Sequence, residues 1–388
     1  MKIAEVAKYL GFWIGPGTGD RDSDGIMDTS RNVGRAIRGA GLPFLMAFRL
    51  FLAYGVSHLV FVAQLRRPPK SLHELELQNI RDVIRGPGLW APASFFYYLK
   101  DWGLFPCQLR AYESWCRATM LRTVLQTHWN WRELFKQLYD PSCLRDDDLF
   151  VFPYPQWKGR LAVSNYDAIL SGFDVGVFMQ SVPRLRSCSV VDLPSCPDLQ
   201  RFLYNYELGR RFPFSLVDFL CKKLARWTSV ARAQAFAAIA IDRIALISKS
   251  TPPCVQFCWI ETICNAWPTA ARFQGTGPCF LQCSRCGCDS LEHYSLCPVV
   301  WRCLERRLGF HTQSASIFRL LGVSDCTDAE VPFLVTHLFA IRRTVDTGRY
   351  GHFSLTSLRM DSFLWSWHKV AAAHCSALRK LYRKRQFG

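Results

Sequence analysis

The sequence predicts a mainly helical fold with few short strands and one small zinc-binding module. Three observations carry that expectation. Apolar residues recur at helical spacing, as in Leu75, Ile80, Val83 and Ile84, and the stretch from Ala231 to Ser248 is rich in Ala and Ile. Start and stop signals punctuate these stretches: Ser71 with Glu74 forms a capping box, and Gly86-Pro87-Gly88 closes the segment it opens. A compact group of sulfur and imidazole ligands then falls in CSRCGCDSLEHYSLCP, late in the chain.

In chain order, KYLGFWIGPGTG reads as a strand and a turn, and a helical region follows from about Ser30. Leu42 to Ala63 is apolar enough to suggest a membrane span. Arg49 and His58 fall inside it, however, and a charge near mid-span is costly, so a buried helix broken near Gly55 is expected. After the loop-rich, aromatic GPGLWAPASFFYYLKDWGLFP, a long helical region runs from about Leu109 to Leu138, ending at Pro141 and the acids Asp146 to Asp148. Asp167 to Gln180 is a short helix, and Pro183 to Pro197 has the Ser, Cys and Pro content of a linker. Asp198 and Ser215 are placed to cap the next two helices, and Thr251-Pro252-Pro253 ends the block that contains Ala231 to Ser248. Trp301 to Leu308, Pro332 to Thr344 and Leu355 to Lys380 supply the closing helices. The resulting segments are 1–85, 86–182, 183–250, 251–310 and 311–388, and no internal repeat links them.

With 388 residues, 49% of them hydrophobic, the chain has material for two or three packed cores. Lys and Arg exceed Asp and Glu by 17, which favours a polyanionic partner, nucleic acid ahead of an anionic membrane surface. The 17 cysteines are odd in number, and the opening lacks the apolar core of a secretory signal. A reducing, intracellular location, the nucleus included, with free thiols and one metal site accounts for them most simply.

The ligand group is Cys283, Cys286, His293 and Cys297: a Cys-x2-Cys pair, six residues, His, three residues, Cys. Thiolates and a neutral imidazole in this number suit one tetrahedral structural zinc. His293 and Cys297 lie four apart, which one helical turn places on one face, and Cys288 is close enough to take a neighbour's place. Other patterns carry less. Asp20 to Asp28 imitates the start of a calcium loop, but Arg31 stands where the bidentate acid belongs. Gly15 to Gly19 lacks the Lys-Ser/Thr of a phosphate loop, and Cys254, Cys258 and Cys264 have no His among them. Arg379, Lys380, Arg383, Lys384 and Arg385, interleaved with Tyr382 and Phe387, suit phosphate contact with stacking, or else form a solvated tail.

KYLGFWIGPG, from Lys8 to Gly17, resembles the segment just after the catalytic palm of non-LTR retrotransposon reverse transcriptases, where a Tyr-Leu-Gly turn leads into a helical thumb. Arg31 to Gln64, with SHLVFVAQL, resembles that thumb, and Gly86 to Trp90 resembles the loop after it. RFQGTGPCFLQCSRCGCDSLEHYSLCP is similar to the Cys-His segment that follows in such elements, particularly copies abundant in dinoflagellate genomes. The likeness implies the carboxyl-terminal part of such an enzyme: the end of the palm with a thumb-like helical region, a helical connector, a zinc module and a basic tail.

The polymerase chemistry of that family needs paired aspartates in an aromatic-x-Asp-Asp motif holding two magnesium ions. This chain has no such motif, and Asp146-Asp147 follows Leu144-Arg145. Downstream of the Cys-His segment no Pro-Asp pair marks an endonuclease. The chain is therefore expected not to be an enzyme by itself but to bind RNA or DNA, without a membrane span, alongside a separate reverse transcriptase palm. Arg31, Arg35 and Arg38 would face the phosphate backbone, with Arg66, Arg67, Lys70, Arg285 and the five tail residues extending the positive surface. The alternative is a helical protein-interaction module with a structural zinc site and no nucleic-acid role.

Overall fold

A computed structural model describes residues 7–9, 12–14, 21–63, 71–84, 90–127, 173–188, 192–281, 283, 288–310, 315–350 and 357–387. The fold is mainly helical. The chain gathers into two compact units, both discontinuous in sequence: Met1–Leu42, Met46–Val83 and Leu109–Phe214 form the first, and Pro43–Leu45, Ile84–Gln108 and Ser215–Gly388 the second.

The first unit opens with an antiparallel pair, β1 (Ala7–Tyr9) and β2 (Phe12–Ile14), in the register Ala7 to Ile14 and Tyr9 to Phe12. Helix α1 (Arg21–Gly39) begins well before Ser30, so Asp22, Asp24 and Asp28 of the calcium-like pattern lie on helical backbone, while Asp20 lies outside the described residues. Acidic residues at a helix N-terminus favour the helix through its dipole, which is a different use of the same sequence. Met27, Ser30, Gly34 and Ile37 are the buried face of α1. Gly34 lets the next layer approach, because a Cβ there would sit 2.6 Å from Asn79 Oδ1. Asn79 lies in α4 (Leu72–Ile84) and donates to Ser30 Oγ (3.0 Å) and to Tyr112 Oη (3.1 Å) of α6 (Tyr112–Thr127). The polar layer is closed by Glu76, which accepts from Tyr112 N at 2.8 Å.

The apolar stretch expected to break near Gly55 does so through a change of winding. A π-helical turn, Phe51–Val56, separates α2 (Phe44–Leu50) from α3 (Ser57–Ala63). Arg49 and His58 are exposed, and no helix among the described residues is long and apolar enough to cross a membrane. Helix α7 (Val175–Ser181) follows, capped by Asp174. The segment expected to be a linker instead forms two short 3-10 turns, Pro183–Leu185 and Leu193–Ser195, whose Leu185 and Leu193 are fully buried. Helix α8 (Leu199–Arg211) packs on α6. There the buried Glu207 takes a 2.8 Å hydrogen bond from Arg117 and lies 3.4 Å from Arg210, which holds an otherwise costly interior charge.

In the second unit, α5 (Ala93–Tyr97) builds an aromatic cluster from Trp90, Phe95, Phe96, Phe219 and Phe257. Ser215 caps α9 (Leu216–Leu224) as its sequence position implied, and α9 packs along α10 (Val230–Ser250). Helix α11 (Pro253–Ile263) starts on the same proline pair that stops α10, because proline at the first helical position loses no hydrogen bond. Helix α15 (Val331–Tyr350), buried along most of its length, is flanked by α11 and by α16 (Ser357–Ala373), against which α17 (Ser376–Phe387) turns back.

Candidate metal centre

Cys279, Cys283, His293 and Cys297 bring one ligand atom each to within 4.8 Å of one another. Zinc–sulfur and zinc–nitrogen bonds of about 2.3 and 2.0 Å give tetrahedral edges of roughly 3.5–3.8 Å, so the group is close to the size such an ion needs. Cys283 Sγ and His293 Nε2 are 3.3 Å apart.

Local sequence sets this geometry. Ser290 caps the short helix α12 (Leu291–Leu296), its hydroxyl accepting from His293 N at 3.0 Å, so the ligand histidine is fixed in the first turn. Pro298 forces Cys297 into extended backbone (φ −63°, ψ 124°), ending α12, and opens α13 (Pro298–Leu308). Cys297 therefore stands at a helix N-terminus, where the N–H groups of Val299 and Val300 face its sulfur.

Two of the ligands are prepared for a cation. The Cys297 thiol is pulled below its ordinary range, first because Cys279 donates to it and then by those backbone N–H groups, with burial opposing. Cys279 is pushed up for the complementary reason, since it holds the shared proton, and its burial adds to this. Burial lowers His293, which favours the neutral imidazole that binds metal.

A second layer locks the ligand loops. Asp289, 3% exposed, accepts from Tyr294 Oη at 2.7 Å through one oxygen. Through the other it accepts from Ala270 N at 2.7 Å and Arg349 at 2.5 Å. Its own N–H donates to Gly277 O (2.8 Å), and its carbonyl receives Ala271 N (3.2 Å), which ties the loop before Cys279 to the residues just before α12. Arg349 also lies over the Phe280 ring at 4.9 Å, and Trp301 Nε1 fixes Ser295 O at 2.8 Å.

Of the ligands expected from sequence, Cys283, His293 and Cys297 converge, and Cys286 lies outside the described residues. Cys279 joins them without having been anticipated. Its signal was present, a cysteine four residues before Cys283, but the shorter Cys-x2-Cys spacing drew the assignment. Cys288, the suggested substitute, is exposed.

Among the basic residues singled out, Arg31 pairs with Asp28, Arg35 is exposed, and Arg38 reaches Asp82 at 3.0 Å with 71% of its side chain still accessible. Arg66, Arg67, Lys70 and Arg285 lie outside the described residues. Helix α17 presents Arg379, Lys380, Arg383 and Lys384 outward, and Arg379 also donates to Ala373 O at 2.7 Å. Arg385 is also exposed, but its side chain folds back on the second unit, donating to Leu308 O at 2.9 Å and lying over Phe310 and Phe333 at 4.5 and 5.3 Å. Comparison with known proteins finds no matching family model, no matching curated protein and no matching solved structure.

Proposed function

We propose that this chain is a nucleic-acid-binding, carboxyl-terminal portion of a retroelement reverse transcriptase, built around one structural zinc site. The observation that carries the reading is the convergence of three thiols and an imidazole, one thiol already favouring its charged form, on a site braced by Asp289. Four protein ligands leave no open position, so the ion's role is to hold structure rather than to activate water. The net charge of +17 and the outward cations of α1 and α17 supply the electrostatic attraction to RNA or DNA. Polymerase chemistry is not assigned to this chain, which has no aromatic-x-Asp-Asp motif, and a separate palm would have to provide it.

Two measurements test this. Elemental analysis of purified protein is expected to find one zinc per chain, lost in C279S or C297S and kept in C288S; metal-free wild type refutes the site. Filter binding of RNA and DNA across a salt series is expected to give affinity that falls steeply with salt. Salt-indifferent binding would instead favour the protein-interaction module.

A further inference from the structure

The sharpest unassigned feature lies beside the metal centre, where two guanidiniums are gathered on one asparagine. Asn265 ends α11 in left-handed backbone (φ 51°) and is 6% exposed. Its backbone carbonyl accepts from Arg272. With the side-chain amide oriented so that its oxygen rather than its nitrogen faces Arg226, that oxygen lies 2.6 and 3.2 Å from the two terminal nitrogens of Arg226. Like charges held this close repel one another: Arg226 contributes, after burial, to weakening the proton affinity of Arg272. Lys223, which donates to Trp90 O at 3.0 Å, adds a third cation that with Arg272 opposes the burial raising the Cys264 thiol, and burial pushes the nearby Glu261 carboxyl up to about 7 against the pull of Arg342. The other nearby acid, Glu292, is 3.9 Å from Arg226, half exposed, and already occupied by the Trp227 indole N–H at 3.1 Å.

Next to this pair stands Phe273, 63% exposed. An aromatic side chain so open on a floppy loop would mean little, but this loop is fixed. Ala270 N and Ala271 N both donate to Asp289, Gly275 N closes back on Ala270 O at 2.9 Å, and Gly277 O receives Asp289 N. The backbone that carries the ring is therefore fixed, on the same brace that holds the zinc ligands.

We propose that Arg226, Arg272 and Phe273 form a contact site for single-stranded nucleic acid, in which the paired guanidiniums take one backbone phosphate and the adjoining base stacks on the phenyl ring. This rests on the nucleic-acid reading above and gives it a location that the basic runs of the sequence do not indicate. A phosphate oxygen pair matches the donor fork of arginine and relieves the repulsion between the two cations. An exposed ring beside it adds base stacking that is indifferent to sequence.

The test is fluorescence anisotropy of a labelled single strand of about 12 nucleotides, a length within the range such sites cover, titrated with the metal-loaded full chain across a salt series. F273A is expected to weaken binding about fivefold or more with the salt slope unchanged, since stacking carries no counterions. R226Q, whose side chain is half exposed, is expected to weaken binding and to flatten the slope of log K against log salt by about 0.7, the single-strand value for one lost phosphate contact. E292Q removes the competing carboxylate while keeping an acceptor for Trp227, and is expected to tighten binding. Inorganic phosphate is expected to compete only weakly. Wild-type binding that stays salt-dependent while all three variants leave it unchanged overturns the site and spares the general reading. Full displacement by inorganic phosphate with F273A unaffected makes this a simple anion site and also overturns it. No binding by the wild type removes both.

Discussion

Removing the Asp289 carboxylate should loosen the metal module without unfolding the whole chain. In D289A the Tyr294 hydroxyl and the Ala270 N–H lose their acceptor inside the protein, and Arg349 loses its counter-charge. Removing one partner of a buried ion pair costs about 3–5 kcal/mol, and because 16% of the Arg349 side chain still reaches solvent the lower end, about 3 kcal/mol, applies. At about 1.4 kcal/mol per tenfold, that is a local opening equilibrium roughly a hundredfold more populated. The amides that report it are those of Ala271 and Asp289, bonded to Asp289 O and Gly277 O. Hydrogen exchange in peptides that contain Ala271 or Asp289 should accelerate by that factor in D289A, less in D289N, and less in D289N/R349M than the two single changes combined predict, because the pair acts as a unit. Exchange within about threefold of wild type in D289A, or strict additivity in the double variant, would show that Asp289 is not the brace described here.

Other outcomes follow from single observations. The buried relay in which Tyr382 Oη donates to His368, His368 to His337 and His337 to Val300 O keeps both imidazoles neutral; burial lowers His337 to about 4, and burial with the neighbouring imidazole lowers His368 well below its ordinary value. An unfolded histidine binds its proton near 6.5, so the second unit should be at full stability above that pH and lose about 3 kcal/mol through His337 alone as pH falls toward 4; an acid titration of its thermal unfolding checks this, and a flat profile between pH 7 and 4 contradicts it. G55A should destabilise the first unit by about 1–3 kcal/mol, since the new Cβ would meet Phe51 ring carbons at 2.6 and 2.7 Å, and a urea melt reads the loss. On α17, R383A and K384A should weaken nucleic-acid binding while leaving the melting temperature unchanged, whereas R385A should lower the melting temperature through its lost packing on Phe310 and Phe333; equal effects on stability from all three would refute the division.

Much of the helical framework was legible because it rests on local rules. Ser215 before an apolar stripe and the Ala and Ile run of α10 announce themselves within a few residues, and the Trp301 to Leu308 helix is found, though α13 starts three residues earlier at Pro298. The misreadings come from residues whose role depends on what packs against them. Ser30 looks like a helix start and is instead a mid-helix hydroxyl lying against Asn79 and Tyr112, residues 49 and 82 positions away. The segment 183–197 has linker composition, yet Leu185 and Leu193 vanish into the first unit. Leu355 to Lys380 reads as one helix because neither Gly nor Pro marks the break at Cys375, where α16 turns into α17.

The metal site divides along the same line. His293 and Cys297 were legible because Ser290 and Pro298, both adjacent, set their backbone, and the four-residue spacing survives even though α12 ends one residue short of Cys297. Cys279 was not, because its local mark, the four-residue spacing to Cys283, is weaker than the Cys-x2-Cys pair beside it in this cysteine-rich chain. What selects it is the pairing of Gly277 with Asp289 across twelve residues, which swings the segment holding Cys279 over the short helix and lets its thiol donate to Cys297. That pairing in turn depends on Arg349, sixty residues further along, which holds the Asp289 carboxylate in place. A spacing motif registers which candidate ligands are near in sequence, whereas a metal site needs those that the brace brings near in space. The three ligands most open to local reading are therefore a subset of the site, and the fourth belongs to the fold around Asp289.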